Sequence, residues 1–232
     1  MIAAVRTTLE WNDVRLEPLA PERPAKRRRS ALPATLLAVA ACAASATYAE
    51  IFVCAGDSIR VFADDAGAGS SPIRTIIGPT AGVSECYAIA LDNWHNELWV
   101  TSGNTVRVFR ATDEGDPAPL RTITGFGFAA AVAVDVEADE VYVGTVSGVI
   151  SVYPRTANGS PPPLRTIQGN LTGLETVVAL FVDQVNDELY AQNYGGSVVV
   201  FGRLDNGNVA PVRPLATFNQ PFGLVVDAHP IN

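Results

Sequence analysis

Lysine is almost missing from this chain of 232 residues: Lys26 is its single example, and methionine (one), histidine (two) and tryptophan (three) are also scarce. With only His95 and His229 present, metal chemistry built on paired histidines at ligand spacing is excluded. No Ser-His-Asp elbow, no G-x-S-x-G and no glycine-rich phosphate loop occurs, which removes the commonest hydrolase and nucleotide-binding readings. No segment beyond one N-terminal apolar run shows a helical hydrophobic period. Positive charge is sparse and badly distributed. Seven of the sixteen Lys+Arg precede residue 50, against only four of the twenty-four acids, so residues 50–232 carry nine arginines and twenty acids, a net charge of −11. A surface of that sign repels phosphate, and nucleic acid is not expected as a partner.

The basic residues that do exist are grouped for another purpose. Lys26-Arg27-Arg28-Arg29 leads directly into the apolar run Ala31–Ala46, which contains Pro33 and is short for a membrane span. A charged stretch, a short apolar core and small residues after it are the layout of an export signal. Three versions of that signal remain open. Ala44-Ser45-Ala46 fits a small-x-small cleavage site, Val39-Ala40-Ala41-Cys42 resembles a lipobox that would make Cys42 a lipidated first residue, and Arg28-Arg29 resembles a twin-arginine signal. Residues 1–49 are therefore read as an N-terminal extension with an export signal, and residues 50–232 as the folded domain. Membrane contact is expected only through the signal or a lipid anchor. The destination is periplasmic, cell-surface or extracellular. Such a compartment permits a disulfide between the two cysteines that remain, Cys54 and Cys86.

What is abundant is repetition. Four segments open alike, with Glu50-Ile51-Phe52-Val53, Glu97-Leu98-Trp99-Val100, Glu140-Val141-Tyr142-Val143 and Glu188-Leu189-Tyr190-Ala191, the glutamates being 47, 43 and 48 residues apart. After a short turn each gives a second apolar strand (59–62, 106–109, 149–153, 198–201). A third strand is then announced by proline: Pro72-Ile73-Arg74, Pro119-Leu120-Arg121, Pro163-Leu164-Arg165 and Pro211-Val212-Arg213. A fourth, of small apolar residues, ends in Asp92, Asp135, Asp183 or Asp227. Four short β-branched strands per repeat of about 46 residues predict an all-β fold, a β-propeller of four four-stranded blades. Proline suits an outer edge, because it cannot donate a ladder hydrogen bond. Each closing aspartate suits its own turn.

This order of motifs resembles the NHL-type and related propeller repeats of exported bacterial proteins, over residues 50–232. The chain departs from that pattern in having four blades, where the family commonly has six. The phase of the repeats suggests how so few would close: the last strand-forming stretch, 222–227, has no E-x-x-V strand after it and is expected to pair with the first strand of the domain at Glu50. The alternatives are an open half-ring that dimerises and a truncated gene product. Closure implies a monomer.

Residues present in every repeat serve the blade. The aspartates and glutamates are expected to cap turns and to pair with Arg74, Arg121, Arg165 and Arg213. Cys54 and Cys86 fall at strand ends on one face of adjacent blades, where a bridge is geometrically reasonable. Residues that differ between blades are the functional candidates. The face formed by loops before the fourth strand type and after the first gathers Tyr87, Phe126, Phe128, Tyr194 and Phe222 beside Asp57 and Asn104. Aromatic and small polar groups on rigid loops are how such faces grip ligands. The expected function is a non-catalytic scaffold that binds protein or carbohydrate and needs no cofactor. The competing class is a metal-dependent propeller enzyme, a lactonase-like hydrolase or a lyase, holding a cation such as calcium at the channel mouth; only Glu85 and Glu175 are placed for that role.

Overall fold

The computed structural model describes residues 3–6, 49–215, 217–218 and 223–226. Among the described residues the fold comprises sixteen strands and no helix. The strands form four antiparallel sheets of four. The first holds β1 (Ala3–Arg6), β2 (Glu50–Ala55), β3 (Ser58–Ala63) and β4 (Arg74–Ile76). The second holds β5 (Cys86–Asp92), β6 (Glu97–Ser102), β7 (Thr105–Arg110) and β8 (Arg121–Thr124). The third runs from β9 (Ala129–Asp135) through β10 (Glu140–Thr145) and β11 (Ile150–Pro154) to β12 (Arg165–Ile167). The fourth comprises β13 (Val177–Asp183), β14 (Glu188–Asn193), β15 (Val198–Gly202) and β16 (Arg213–Pro214). All-β architecture and four sheets consistent with blades agree with the sequence expectation.

Sheets and sequence repeats are out of step by one strand. Each repeat gives three strands to one sheet, and in the first three repeats the last strand opens the next. β2 therefore needs a neighbour from elsewhere, and in the structure that neighbour is β1, with Ala3 opposite Val53 and Arg6 opposite Glu50. The C-terminal stretch expected at this place forms no strand over its described residues 223–226. Leu224 and Val226 pack instead against Tyr190, Val198 and Val200 of the fourth sheet.

The continuous apolar strands follow from burial on both faces. In β6 every residue is buried. Leu98 and Val100 face a core shared with Phe52, Ile59 and Val61 of the first sheet, while Trp99 faces one shared with Val141 and Val143 of the third. Tyr142 continues the series toward Leu189 and Phe201 of the fourth. Burying such a side chain contributes about 1.5–3 kcal/mol.

The repeated polar residues close the turns and edges. Asp135 Oδ1 accepts the backbone N–H of Ala138 at 3.0 Å and Asp183 Oδ1 that of Asn186 at 3.0 Å, while Asp92 accepts from His95 at 2.9 Å. Each turn ends on a left-handed residue, Asn96 (φ 57°), Asp139 (φ 58°) or Asp187 (φ 56°), residue types whose short side chains tolerate that conformation. Glu50, Glu97, Glu140 and Glu188 pair with Arg74, Arg121, Arg165 and Arg213, within their own sheet and across its third strand. Two sheet-to-sheet ion pairs join carboxylates of the repeat to arginines outside its pattern. Arg155 reaches Glu97 at 3.2 Å, and Arg203 reaches the fully buried Asp135 at 2.7 Å.

Outer edges are latched by the following sheet. Gly115, Gly159 and Gly207 bridge in parallel to Ile76, Ile123 and Ile167. Their φ values of 72°, 75° and 83° are ones a side chain rarely adopts. Beside two of them, Asn158 and Asn206 accept the N–H of Thr122 and Thr166, both at 3.0 Å.

Candidate functional site

The first strands of the sheets begin irregularly, and that irregularity builds the site. Register shifts fall between Cys86 and Ile89, between Gly144 and Thr145 opposite β9, and between Val177 and Ala179. A bulge adds one residue to a strand and re-aims its side chain. Tyr87, Ala130 and Val178 stand at these three bulges, and all three line one cavity. In β5 the extra residue is fixed by Thr101, whose Oγ1 accepts the N–H groups of Tyr87 and Ala88 at 3.3 and 2.8 Å.

The cavity has a volume of about 850 Å³ and draws its walls from all four sheets: Cys54, Ala55 and Gly56; Cys86 and Tyr87; Ala130 and Val146; Thr176, Val178 and Tyr194. That volume lies within the range of small-ligand sites. Its rim carries two large exposed aromatics, Tyr87 (53 % exposed) and Tyr194 (47 % exposed). Tyr87 meets Phe128 edge-on, with ring centroids 5.2 Å apart. On one wall Cys54 and Cys86 form a disulfide with Cα atoms 5.6 Å apart. The Cys86 N–H also donates to the Gly56 carbonyl at 2.8 Å, so the first and second sheets are tied there twice.

Three buried polar residues, all at the ends of second strands, hold the rim loops. Asn193 accepts the Glu175 N–H through Oδ1 and donates to the Gly173 carbonyl through Nδ2, both at 2.8 Å. Ser102 accepts from the Ser84 N–H at 2.9 Å, and the Thr145 hydroxyl is 2.9 Å from that of Ser147. None of the three was expected from the sequence as a site residue. Their recurrence as the second residue after the E-x-x-V motif is the signal that could have found them. At Gly148 a Cβ would lie 2.6 Å from the Glu175 carbonyl oxygen, so the third and fourth sheets meet through bare backbone at this rim.

Of the residues expected on this face, Tyr87, Phe128 and Tyr194 are brought to one rim, with Asp57 and Asn104 exposed in the adjoining β2–β3 and β6–β7 turns. Phe126 is only 7 % exposed and packs edge-on against Tyr153 in the core between the second and third sheets, because the aromatic ring finds apolar neighbours below the loop. Phe222 and Cys42 lie outside the described residues, as do Asp227 and His229.

Glu85 and Glu175 are both exposed and belong to loops ahead of different sheets. Glu85 takes a left-handed φ of 47°. Among the described residues no three His, Cys, Asp or Glu side chains stand close enough to hold a metal ion. His95 is committed to its own turn, with Nδ1 2.7 Å from Asp92.

No family model matches the chain, and no curated protein matches it.

Proposed function

We propose that this chain is an exported, non-catalytic β-propeller that binds a protein or carbohydrate ligand on the face bearing Tyr87 and Tyr194. The observation that carries the reading is the cavity itself. It spans all four sheets, Tyr87, Ala130 and Val178 reach it from bulges, and its rim presents tyrosines that no structural repeat requires. Tyrosine offers a broad apolar ring with a polar tip at small entropic cost, which suits both sugar rings and peptide side chains. The repeated motif order over residues 50–232 supports reading the sheets as NHL-type blades. Export is supported by the Lys26–Arg29 cluster before the Ala31–Ala46 run and by the Cys54–Cys86 bridge, which an oxidising compartment preserves. The mature ring closes when the C-terminal strand joins the Glu50 strand, and the closed form is monomeric.

The test is binding of the Tyr87→Ala/Tyr194→Ala double variant and the parent chain to a glycan array and an immobilised peptide library. Parent binding that the variant loses, with an unchanged melting temperature, supports the reading. Equal binding by both would place the ligand on another surface.

A further inference from the structure

The walls of the four-sheet cavity are chemically uniform. Ala55, Ala130, Val146 and Val178 are aliphatic, Gly56 is bare backbone, and the Cys54 and Cys86 sulfurs are joined to each other. Among the described residues that line it there is no acid, amide, arginine or histidine, although residues 50–232 carry twenty acids. The polar groups of the wall already bond to one another. The Gly56 carbonyl takes the Cys86 N–H at 2.8 Å, the Val146 carbonyl takes the Thr176 hydroxyl at 3.0 Å, and the Thr176 carbonyl takes the Tyr194 N–H at 2.7 Å. A sugar entering this space gives up the water on its hydroxyls to walls whose hydrogen bonds are spent, and each bond left unmade is costly. An apolar side chain gives up no hydrogen bond and gains the burial.

Around the cavity the charge has one sign. Asp57, Glu85 and Glu175 are exposed, and each is the sequence neighbour of a lining residue, Gly56, Cys86 and Thr176 in turn. The two glutamates lie over turns at that end of their sheets. A Cβ built at Gly103 would stand 3.4 Å from Glu85 Oε2, and one built at Gly195, next to Tyr194, would stand 3.0 Å from Glu175 Oε2. These carboxylates are too dispersed to hold a metal ion among the described residues. Dispersed charge of one sign selects the charge of a larger partner instead.

We propose that the cavity takes one aliphatic or aromatic side chain of a partner protein, presented on a segment with lysine or arginine beside that anchor. The proposal rests on the reading that the Tyr87–Tyr194 face binds the ligand, and it selects protein over carbohydrate. The anchor sheds its water into the aliphatic wall, as the central residue of an interface does. The flanking cations meet Asp57, Glu85 and Glu175 at the solvated rim, where ion pairs add modest affinity and set the choice of partner. A free hydrocarbon would fill the wall and leave the acidic rim unused. A phosphorylated or sulfated ligand meets the wrong sign.

The test is binding of the full chain to an immobilised array of seven-residue peptides. The central residue is phenylalanine, leucine or serine, the two residues flanking it are lysine, glutamine or glutamate, and the other positions are randomised. The parent is compared with Val146→Asp and with Glu85→Gln/Glu175→Gln, the melting temperature of each confirming its fold. Val146 lines the cavity and is 42 % exposed, so the aspartate charges the wall without entering the core. Peptides with an apolar centre and lysine flanks are expected to bind, and a serine centre to cost about tenfold or more. Val146→Asp should abolish this binding. The glutamine variant should weaken it about fivefold for lysine flanks and leave glutamine flanks unchanged, with the difference shrinking in high salt. Equal binding of lysine- and glutamate-flanked peptides would overturn the basic partner. Glycans bound by the parent and lost in Tyr87→Ala/Tyr194→Ala, with no peptide bound, would overturn the proposal and leave the ligand face standing. Peptides bound equally by the parent and that tyrosine variant would overturn the ligand face itself, and no binding of either kind would overturn both.

Discussion

Replacing Arg203 by methionine removes one charge from the junction of the third and fourth sheets and leaves its partner stranded. Arg203 Nη1 donates to Asp135 Oδ2 at 2.7 Å, and the Asp135 side chain is fully buried. The remaining contacts of that carboxylate, from the N–H groups of Glu137 and Ala138 and the amide of Gln184, all fall on Oδ1. Breaking a buried pair by removing one partner costs about 3–5 kcal/mol. Three surviving hydrogen bonds and the 19 % exposure of the Arg203 side chain reduce that to about 2–3 kcal/mol. The second arginine contact, to Asp187, adds little because that carboxylate is 74 % exposed. For a domain of this size the loss corresponds to a drop of about 4–12 °C in melting temperature. The pH dependence has a definite sign. Burial pushes the Asp135 carboxyl up, but the Ala138 N–H, the Arg203 guanidinium and the Gln184 amide together outweigh it and hold the group below its usual value. The stabilisation is therefore complete above the unfolded value of about 3.9 and fades as pH falls through the lower folded value. Urea and thermal unfolding of parent and Arg203→Met at neutral pH and at about pH 3 should show the gap narrowing in acid. A neutral-pH loss below about 0.5 kcal/mol, or a gap that does not change in acid, refutes the reasoning.

Two further predictions concern stability. Tyr142→Phe removes the hydroxyl that lies 3.1 Å from the Arg203 carbonyl and 3.1 Å from Arg165, at an expected cost of about 1–2 kcal/mol in urea unfolding. Burial, seconded by the Glu140 charge, pushes the Tyr142 phenol up to about 12, and the corresponding alkaline absorbance step should vanish in the same variant. Cys54→Ala/Cys86→Ala opens a loop with a sequence separation of 32 and should cost about 4 kcal/mol on the chain-entropy account, while thiol titration of the folded parent should find neither cysteine free.

The repeat was legible because its features are local: a short continuous apolar strand, a proline at an edge, an aspartate before a turn. The within-sheet pairing of Glu140 with Arg165 is of the same kind, since both recur at fixed places. What escaped reading depends on register between strands. A bulge shifts one residue to the other face, and nothing in Cys86-Tyr87-Ala88 announces that Thr101 will hold two of its N–H groups. Arg155 and Arg203 escaped because the repeat has Asp64 and Ala111 at the same place, so their sheet-to-sheet role is confined to two blades. Phe126 sits in a loop on the side of the candidate face, but a ring that size finds more contact beneath the loop than on it. The first strand escaped because more than forty residues (7–49) separate it from its partner, and a short Ala-Ala-Val stretch carries little pattern.

The glycine latches also bear on how this protein avoids sticking to copies of itself. A sheet edge with free N–H and carbonyl groups recruits other chains, and natural sequences blunt it. Here β4, β8 and β12 have that edge taken by Gly115, Gly159 and Gly207. The threonine whose N–H turns outward in β8 and β12 is replaced in β16 by Pro214, which has no N–H to offer. Three outer rims are thus occupied and the fourth is chemically disarmed, so this acidic protein presents few backbone donors from which a fibril could grow.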